Sequence, residues 1–444
     1  MKSVKKLLAA AQKPSIRSEK LHPFYRGKME VVPKCRIKDY TDFALWYTPG
    51  VAKVCKNIFD KPELVYDYTN KWNNVAVVSD CTRVLGLGDI GPEAGLPVME
   101  GKALLFKYLG GVDAFPICLD TKDKNKIIET VKLIQPSFGG INLEDIEQPK
   151  CFPILSTLRK ECRIPVWHDD QQGTALVTLS GLINALKIVG KKIGKVKITL
   201  VGAGAANINI ARLIMMYGAN PANIIMVDHK GILNKKRSDM QYTHPEKWQM
   251  CLDTNPQGIS GGIAEALENA DVLIALSASG PGTIKKEWII KMAKKAIVFV
   301  CANPVPEIWP WEAIEAGAHV VATGRSDFPN QVNNSLGFPA VFRGTLDVMA
   351  KTITDEMCIS AAVEIAACIP DNKIKPDRLL PTMDNWEIYP KVAVAVGMQA
   401  IKQKVAQKII SKDKLYTTAK DIIVRSRAIT QTMMKKGLIK PSKI

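Results

Sequence analysis

The chain has 444 residues, 47% of them hydrophobic, which is enough for two or three domains with substantial cores. Its apolar runs are short, and its ten cysteines form no CxxC pair and follow no secretory pattern, so we expect a soluble cytoplasmic protein with reduced thiols. The net charge of +18 lies at the ends, with +8 in residues 1–39 and +10 in residues 401–444. A nucleic-acid surface needs a basic stripe on the folded body, so this distribution predicts solvated termini and no nucleic-acid or membrane partner.

The beginning of the chain is basic and short of acids, and the pattern of Met1–Gln12 favours an amphipathic first helix. The same composition leaves organelle targeting open as an alternative. Residues 21–40 are irregular and basic, and the stretch Trp46–Val51 is apolar and strand-like but interrupted by Pro49-Gly50.

Strands and helices alternate through the first half of the chain. Val75–Asp80 reads as a buried strand that runs into the glycine-rich loop Arg83–Gly91, and a helix follows at Gly95–Leu109. The same patterns predict strands at Ala114–Leu119, Gly139–Leu143 and Ile164–Trp167, and helices at Lys126–Gln135 and Cys151–Cys162. This alternation predicts a parallel α/β sheet whose strands all end along one edge.

A second α/β unit follows the apolar helix Leu176–Val189. A strand beginning at Lys195 leads into a glycine loop and a helix, and four further apolar strands are predicted at Ile224–Asp228, Val272–Leu276, Ala296–Cys301 and Val320–Thr323. This order is typical of a doubly wound, Rossmann-type parallel sheet of at least five strands. Residues 352–410 return to helical patterning and are expected to pack back on the first domain.

Two pairs of adjacent carboxylates occur at predicted strand ends, Glu144-Asp145 and Asp169-Asp170. Because parallel strands end at the same edge, Glu144, Asp145 and Asp170 are candidate ligands for Mg²⁺ or Mn²⁺, which prefer oxygen ligands. Taken singly, each acid also fits a helix cap or a solvated turn.

Two further residues are candidates for proton transfer. Lys102 lies within a predicted helix, where a metal nearby would lower its pKa and Asp169 could hold it in place; a solvated helix lysine is the alternative. Tyr47 lies at a Thr-Pro turn and could donate a proton, although a tyrosine in an apolar stretch more commonly contributes packing.

The loop Gly202-Ala203-Gly204-Ala205-Ala206 follows a strand and opens a helix, as expected where the pyrophosphate of NAD or NADP binds a helix N-terminus. Asn207 replaces the usual third glycine and weakens the motif taken alone. Asp228 ends the next strand, where a carboxylate binds the adenosine ribose and favours NAD. His229 and Lys230 could instead accept a 2′-phosphate, so the sequence leaves the choice open.

Together these motifs resemble those of malic enzymes, in order from about residue 22 to about residue 400. The resemblance lies in Trp46–Gly50, Arg83–Gly91, Gly101-Lys102, Asn142–Asp145, His168–Thr174, Cys301–Glu307 and Asn330–Pro339. It is greatest to the short form of the family, without a C-terminal transferase domain. The resemblance implies a catalytic domain over residues 22–180 after a basic arm at 1–21, an NAD(P)-binding domain over 181–375 and a helical segment over 376–444.

The resemblance also assigns roles to individual residues. It makes Tyr47 the general acid, Lys102 the general base and Asp169 the partner of Lys102, with Glu144, Asp145 and Asp170 as metal ligands. It places Arg83 at a substrate carboxylate, and Asn303 and Asn334 at malate and the nicotinamide. The implied reaction is oxidative decarboxylation of malate to pyruvate and carbon dioxide with reduction of NAD(P)⁺, in a homodimer. An enzyme acting on another 2-hydroxy acid is the nearest alternative, followed by a nucleic-acid-binding protein that uses the basic ends.

Overall fold

The computed structural model describes the backbone of residues 4–442 and the side chains of residues 13–442. Ten strands form two separate sheets. In chain order they are β1 Asn74–Ser79, β2 Asp113–Cys118, β3 Gly140–Leu143, β4 Val166–His168, β5 Ile198–Val201, β6 Ile224–Asp228, β7 Gly231–Ile232, β8 Val272–Ala275, β9 Ala296–Val300 and β10 Ala318–Thr323.

Seventeen α-helices surround these sheets in the part of the chain that the structure describes. They are α1 Val4–Tyr25, α2 Phe43–Trp46, α3 Val51–Asp60, α4 Val65–Tyr68, α5 Pro92–Gly110, α6 Lys124–Ile134, α7 Cys151–Glu161, α8 Thr174–Val189, α9 Ala205–Met216, α10 Pro245–Asp253, α11 Ile263–Leu267, α12 Lys286–Ile290, α13 Pro310–Glu315, α14 Phe338–Asp347, α15 Asp355–Ala367, α16 Ile388–Lys402 and α17 Lys412–Lys435. A turn of π-helix, Asp169–Gly173, leads from β4 into α8.

The first sheet has the order β2-β1-β3-β4, and all its strands are parallel. Its central strand β1 is apolar and buried on both faces, because helices cover both sides, as parallel sheets require. The register pairs Leu143 with His168, so β3 and β4 end side by side. The carboxylates that follow these two strands are therefore neighbours, as the sequence predicts.

The second sheet has the order β10-β9-β8-β5-β6-β7, in which only the two-residue strand β7 is antiparallel. The chain moves outward from β5 in both directions, so the order reverses next to β5. In such sheets ligands bind in the crevice outside the strand ends at this reversal. The Rossmann-type fold predicted for this half of the chain is confirmed.

Helix α8 joins the two sheets and lies in a core that they share. The stretch Asp169–Val189 is long and apolar enough to cross a membrane by length and composition, but 83% of its apolar 18-residue window is buried inside the protein. On its surface, Gly181 lies against Phe299 of β9, and the Asn184 amide donates to the carbonyl oxygens of Ala366 and Leu379. Its apolar sequence is therefore explained by packing.

The helices after the second sheet pack back on the first sheet. Phe338 and Phe342 of α14 make edge contacts with Phe106 of α5, with ring centroids 4.6 and 5.1 Å apart. The Ser426 hydroxyl of α17 donates to the Lys107 carbonyl oxygen at the end of α5. Helix α5, which carries Lys102, is thus held by the sheet on one side and by C-terminal helices on another. The domain limits at residues 180 and 375 stay predictions.

The strand-like interpretation of Trp46–Val51 is wrong. Helix α2 ends at Trp46, and α3 begins at Val51 after a turn through Tyr47. The reason is local: the Gly50 amide donates to the Ala44 carbonyl oxygen and the Val51 amide to that of Tyr47, so the chain coils instead of extending. The helices from Tyr40 to Tyr68 have no fully buried residue, and several of their large apolar side chains are exposed.

Candidate active site

Four acidic side chains follow β3 and β4 at the edge where these strands end. The Asp145 backbone has φ of +52°, a left-handed conformation that costs about 1–3 kcal/mol for a residue with a Cβ. It directs the Asp145 amide to the Asp170 carboxylate, which accepts at 2.9 Å. Helix α7 starts six residues after Asp145, so this carboxylate pair does not cap it.

Lys102 reaches this edge from α5 and is buried. Its ammonium lies 2.5 Å from Asp169 Oδ2 and 2.9 Å from Glu144 Oε1, and it sits 4.2 Å from the centre of the Phe338 ring. Burial by itself lowers the pKa of Lys102, but the two carboxylates outweigh burial and hold that pKa above its usual range. Asp169 is fixed in turn by the Trp167 indole, which donates to its other oxygen at 3.0 Å. The pairing of Lys102 with Asp169, expected from the sequence, is present.

Glu144, Asp145 and Asp170 each direct one carboxylate oxygen to a common point, and these oxygens lie within 4.8 Å of one another. Asp145 Oδ2 is buried and has no hydrogen-bond donor among the described residues. Burial raises the pKa of Glu144 to about 8, against the pull of Lys102, and burial with the neighbouring acids raises the pKa of Asp145 to about 9. A cluster of oxygen donors that repel one another fits a hard divalent cation such as Mg²⁺ or Mn²⁺.

His168 lies beneath the cluster and is fully buried. Its Nδ1 is 3.8 Å from Asp170 Oδ2, beyond a hydrogen bond, and its pKa is lowered by burial. Neither ring nitrogen has a hydrogen-bond partner among the described residues, and the Gln172 side chain accepts the backbone amide of His168 at 3.0 Å.

The glycine-rich loop Arg83–Gly91 connects the carboxylates to the second sheet. The Arg83 amide donates to the Asp145 carbonyl oxygen, while the Arg83 side chain is exposed and bonds within its own loop to Leu85. A Cβ at Gly86 would lie 2.7 Å from the carbonyl oxygen of Asn303, so only glycine allows this approach. The loop that carries Arg83 thus contacts the backbone of Asn303 in the other half of the chain.

Asn334 lies on the other side of the acid turn. Its Cβ would be 3.3 Å from a Cβ placed at Gly173, the residue that ends the turn after Asp170. The amide of Asn209 on α9 also reaches this turn and donates to Gln171. The turn bearing Asp169 and Asp170 is therefore tied directly to the helix that starts at the dinucleotide loop.

That loop, Gly202–Ala206, has the geometry its sequence predicts. Gly202 has φ of +99° and no space for a side chain beside Leu276, and Gly204 precedes the first turn of α9. Asn207, the departure from the usual motif, is buried and donates to the carbonyl oxygens of Val201 and Gly202 at 2.9 and 2.8 Å. Its amide ties the strand end to the loop, so the substitution keeps the loop's shape.

The sequence analysis missed two residues near the cofactor loops. The buried carboxylate of Glu307 accepts the amides of Ser277 and Ala302, which joins the loops after β8 and β9. Burial raises the pKa of Glu307 to about 7 against these hydrogen bonds. Arg237 covers Asp228 with two contacts of 3.2 Å. Glu307 ends the motif Cys301–Glu307, which also contains Asn303, so the sequence offers a reason to consider it. Arg237 lies in no recognised motif, so nothing in the sequence points to its contact with Asp228.

Tyr47 is not brought to the cluster by the fold. Its side chain is 72% exposed and forms no hydrogen bond with any residue that the structure describes. The described chain alone therefore brings Lys102 to the carboxylates and leaves the candidate acid Tyr47 outside.

A carboxylate cluster that could hold a divalent cation, a buried lysine, and a dinucleotide loop whose helix bonds to the acid turn are typical of a dinucleotide-dependent oxidoreductase. Residues 26–159 match the family model "Malic enzyme, N-terminal domain" and residues 171–402 match "Malic enzyme, NAD binding domain". The chain belongs to the malic enzyme family.

Named relatives cover most of the chain. The bifunctional malic/malolactic enzyme of Bacillus subtilis is 48% identical over 90% of this chain and 97% of its own length, and the NAD-dependent malic enzyme of Geobacillus stearothermophilus is 49% identical over 86% and 78%. The NADP-dependent malic enzyme of Halomonas elongata is 42% identical over 86% and 92%. The crystal structure of the Entamoeba histolytica malic enzyme is 48% identical, with a TM-score of 0.96 over 99% of this chain and 93% of that one.

Proposed function

We propose that this chain catalyses the oxidative decarboxylation of malate to pyruvate and carbon dioxide, with NAD⁺ or NADP⁺ as hydride acceptor. The observation that carries this proposal is the lysine–carboxylate cluster of Lys102, Asp169, Glu144, Asp145 and Asp170 at the cleft beside the dinucleotide loop. Relatives named as malic enzymes favour malate over other 2-hydroxy acids.

Lys102 is proposed to take the proton of the substrate's C2 hydroxyl as hydride leaves C2. The lysine can do so only if its carboxylate contacts weaken, and ligation of Glu144 by a metal would remove one of them. Asp169 has no place among the three ligands and keeps the amine in position throughout.

Glu144, Asp145 and Asp170 would hold the divalent cation. When bound, the cation supplies a Lewis acid at the substrate oxygens. Arg83 is proposed to bind a substrate carboxylate, and Asn303 and Asn334 to bind malate and the nicotinamide; the loop of Arg83 contacts the Asn303 backbone, and Asn334 lies beside the turn that ends at Gly173. The backbone amides at the start of α9 would bind the pyrophosphate, since helix N-termini favour anions.

Tyr47 is proposed to return a proton to C3 after carbon dioxide leaves, and its position makes a homodimer part of this proposal. Tyr40, Phe43, Leu45 and Phe59 expose half or more of their area along with Tyr47, which is an apolar surface that a second copy would bury. A second copy seated there would also enclose Tyr47. The cytoplasmic location expected from the sequence stays a prediction.

The test measures cofactor reduction and pyruvate formation with malate, with and without Mn²⁺, for both NAD⁺ and NADP⁺. We expect turnover only with metal, and much less with tartrate or isopropylmalate. Metal-dependent turnover of one of those acids in place of malate would contradict the substrate assignment. Cofactor reduction without release of carbon dioxide would contradict the decarboxylation.

A further inference from the structure

The end of β6 carries an unusual arrangement of charges, at the place where dinucleotide folds bind the adenosine ribose. Asp228 ends this strand, but its side chain is only 6% exposed. The Arg237 guanidinium covers it, donating to both carboxylate oxygens at 3.2 Å, and the Lys230 amide donates to the same carboxylate at 2.8 Å. A carboxylate that binds ribose hydroxyls must face the cleft, so Asp228 is poorly placed for that role.

Arg237 and Lys230 also contact Asp239, at 3.2 and 3.3 Å. The network therefore contains two carboxylates and two cations, and its formal charge is zero. Repulsion between Asp228 and a phosphate, which normally excludes NADP from an NAD site, is largely cancelled by the guanidinium in front of it.

Lys247 adds a third cation. It lies on α10, which packs against α9 and against the turn Ser238–Met240 that directly follows Arg237. Besides burial, the charges of Asp228, Arg237 and Lys230 act on the pKa of its ammonium. The residue is only 8% exposed, yet its ammonium has no hydrogen bond or ion pair with any residue in the described part of the chain. With Lys247 the cluster carries one net positive charge.

The other two buried lysines of this fold show how unusual that is. Lys71 donates to three carbonyl oxygens, of Gln135, Pro136 and Phe138, and Lys102 pairs with two carboxylates. The Lys247 ammonium is not fully enclosed, so solvent reaches it although most of the residue is buried. An anion that binds beside Lys247 would supply the missing partner.

We propose that Lys247 and Arg237 bind the 2′-phosphate of NADP, with Asp228 acting as the residue that positions Arg237, so that this chain prefers NADP to NAD. The proposal rests on the proposed function for the cofactor class alone. A phosphate dianion suits this site because the guanidinium offers paired donors and the ammonium offers a point charge.

The test uses adenosine 2′,5′-bisphosphate and 5′-AMP as probes, titrated calorimetrically into the intact protein, since neither probe can react. We expect the bisphosphate to bind tighter by about tenfold or more, a difference set by the 2′-phosphate alone. Inorganic phosphate should compete only weakly with it. Equal binding of the two probes would overturn the proposal, and so would strong binding of inorganic phosphate alone, which would indicate a general anion site.

Variants then assign the effect to Lys247. Lys247→Gln should weaken the bisphosphate by about tenfold and leave 5′-AMP unchanged, whereas Lys247→Arg keeps the charge and should retain the preference. Lys235→Gln, at an exposed lysine two residues before Arg237, is the control and should change neither. Equal weakening of both probes in Lys247→Gln would show a packing role. If the protein turns over malate but binds both probes equally, this inference is wrong and the proposed function stands. If it prefers the bisphosphate but does not turn over malate, the proposed function is wrong and this inference stands.

Discussion

Lys102 and Tyr47 are the two proposed proton-transfer residues, and their surroundings are opposite. Lys102 is buried, contacts two carboxylates and an aromatic ring, and lies on a helix packed from several sides. Tyr47 is largely exposed in a turn between two helices without buried residues. The groups proposed for hydride and proton removal at C2 therefore come together within one chain. The second half of the reaction needs something that covers the region from Tyr40 to Tyr68, and a second copy is our proposal for it.

The largest effect is expected from substitution of a proposed metal ligand, because it would remove metal binding from the buried cluster around Lys102. Asp170→Ala should abolish activity and Mn²⁺ binding while the fold is kept, because Asp170 is the most exposed of the three proposed ligands. Calorimetric titration of Mn²⁺ measures the loss. Asp89→Ala, which removes an exposed carboxylate from the glycine-rich loop, is the control and should bind Mn²⁺ as the wild type does. Unchanged Mn²⁺ affinity in Asp170→Ala would remove Asp170 from the ligand set.

Loss of the buried base comes next. Lys102→Ala should lower kcat by roughly two to four orders of magnitude with a modest change in KM, since a base acts mainly in the transition state. The change also leaves Asp169 and Glu144 buried without their cation, which could cost roughly 3–5 kcal/mol of stability. Lys102→Arg separates the two effects: it keeps the charge but cannot give up a proton. If the arginine variant retains wild-type kcat, Lys102 is not the base.

Much of this buried half could be predicted from the sequence, because the signals are local. An apolar run that ends in paired carboxylates indicates a strand end, and parallel strands place such ends along one edge. This rule predicts that Glu144, Asp145 and Asp170 lie close together, and the structure confirms their proximity. The contact of Lys102 with Asp169 was expected from the chemistry of a buried lysine beside a carboxylate pair and from the family resemblance, but not from spacing, since 67 residues separate them.

The missed features depend on contacts that have no local pattern. Arg237 reaches Asp228 from nine residues away, out of a loop whose path is set by tertiary packing. The turn at Tyr47 was read as a strand because its apolar residues suggested burial, whereas in the described chain they face outward. Apolar residues at a subunit surface and in a core look the same in sequence, so periodicity alone could not separate them.

Tyr47→Phe tests the role of the exposed tyrosine, and we expect it to lower activity less than the changes at Asp170 and Lys102. The ring is kept but the proton donor is lost, so cofactor reduction on malate should continue in part while protonation at C3 slows. The measurement is deuterium entry into the methyl group of pyruvate, followed by NMR with reduced cofactor and metal in deuterated water. Tyr242→Phe, at another exposed tyrosine, is the control. Exchange at the wild-type rate would mean that Tyr47 contributes only packing.

We expect the smallest effect on the stability of a single chain from a change at an exposed apolar side chain near Tyr47. This change also tests directly whether the region around Tyr47, unlike that around Lys102, is completed by a second copy. Leu45 is 64% exposed, so Leu45→Ser should change the free energy of unfolding of one chain by no more than about 0.5 kcal/mol. If a second copy buries this surface, the same change should weaken the dimer measurably, because apolar area contributes roughly 25 cal/mol per Å² when it is removed from water. Sedimentation over a range of protein concentrations measures the dissociation constant. Leu133→Ser, on α6 and 71% exposed, is the matched control and should leave association unchanged. Equal association of both variants and the wild type would place the dimer contact elsewhere, and Tyr47 would then need a closing movement within its own chain to reach the cleft.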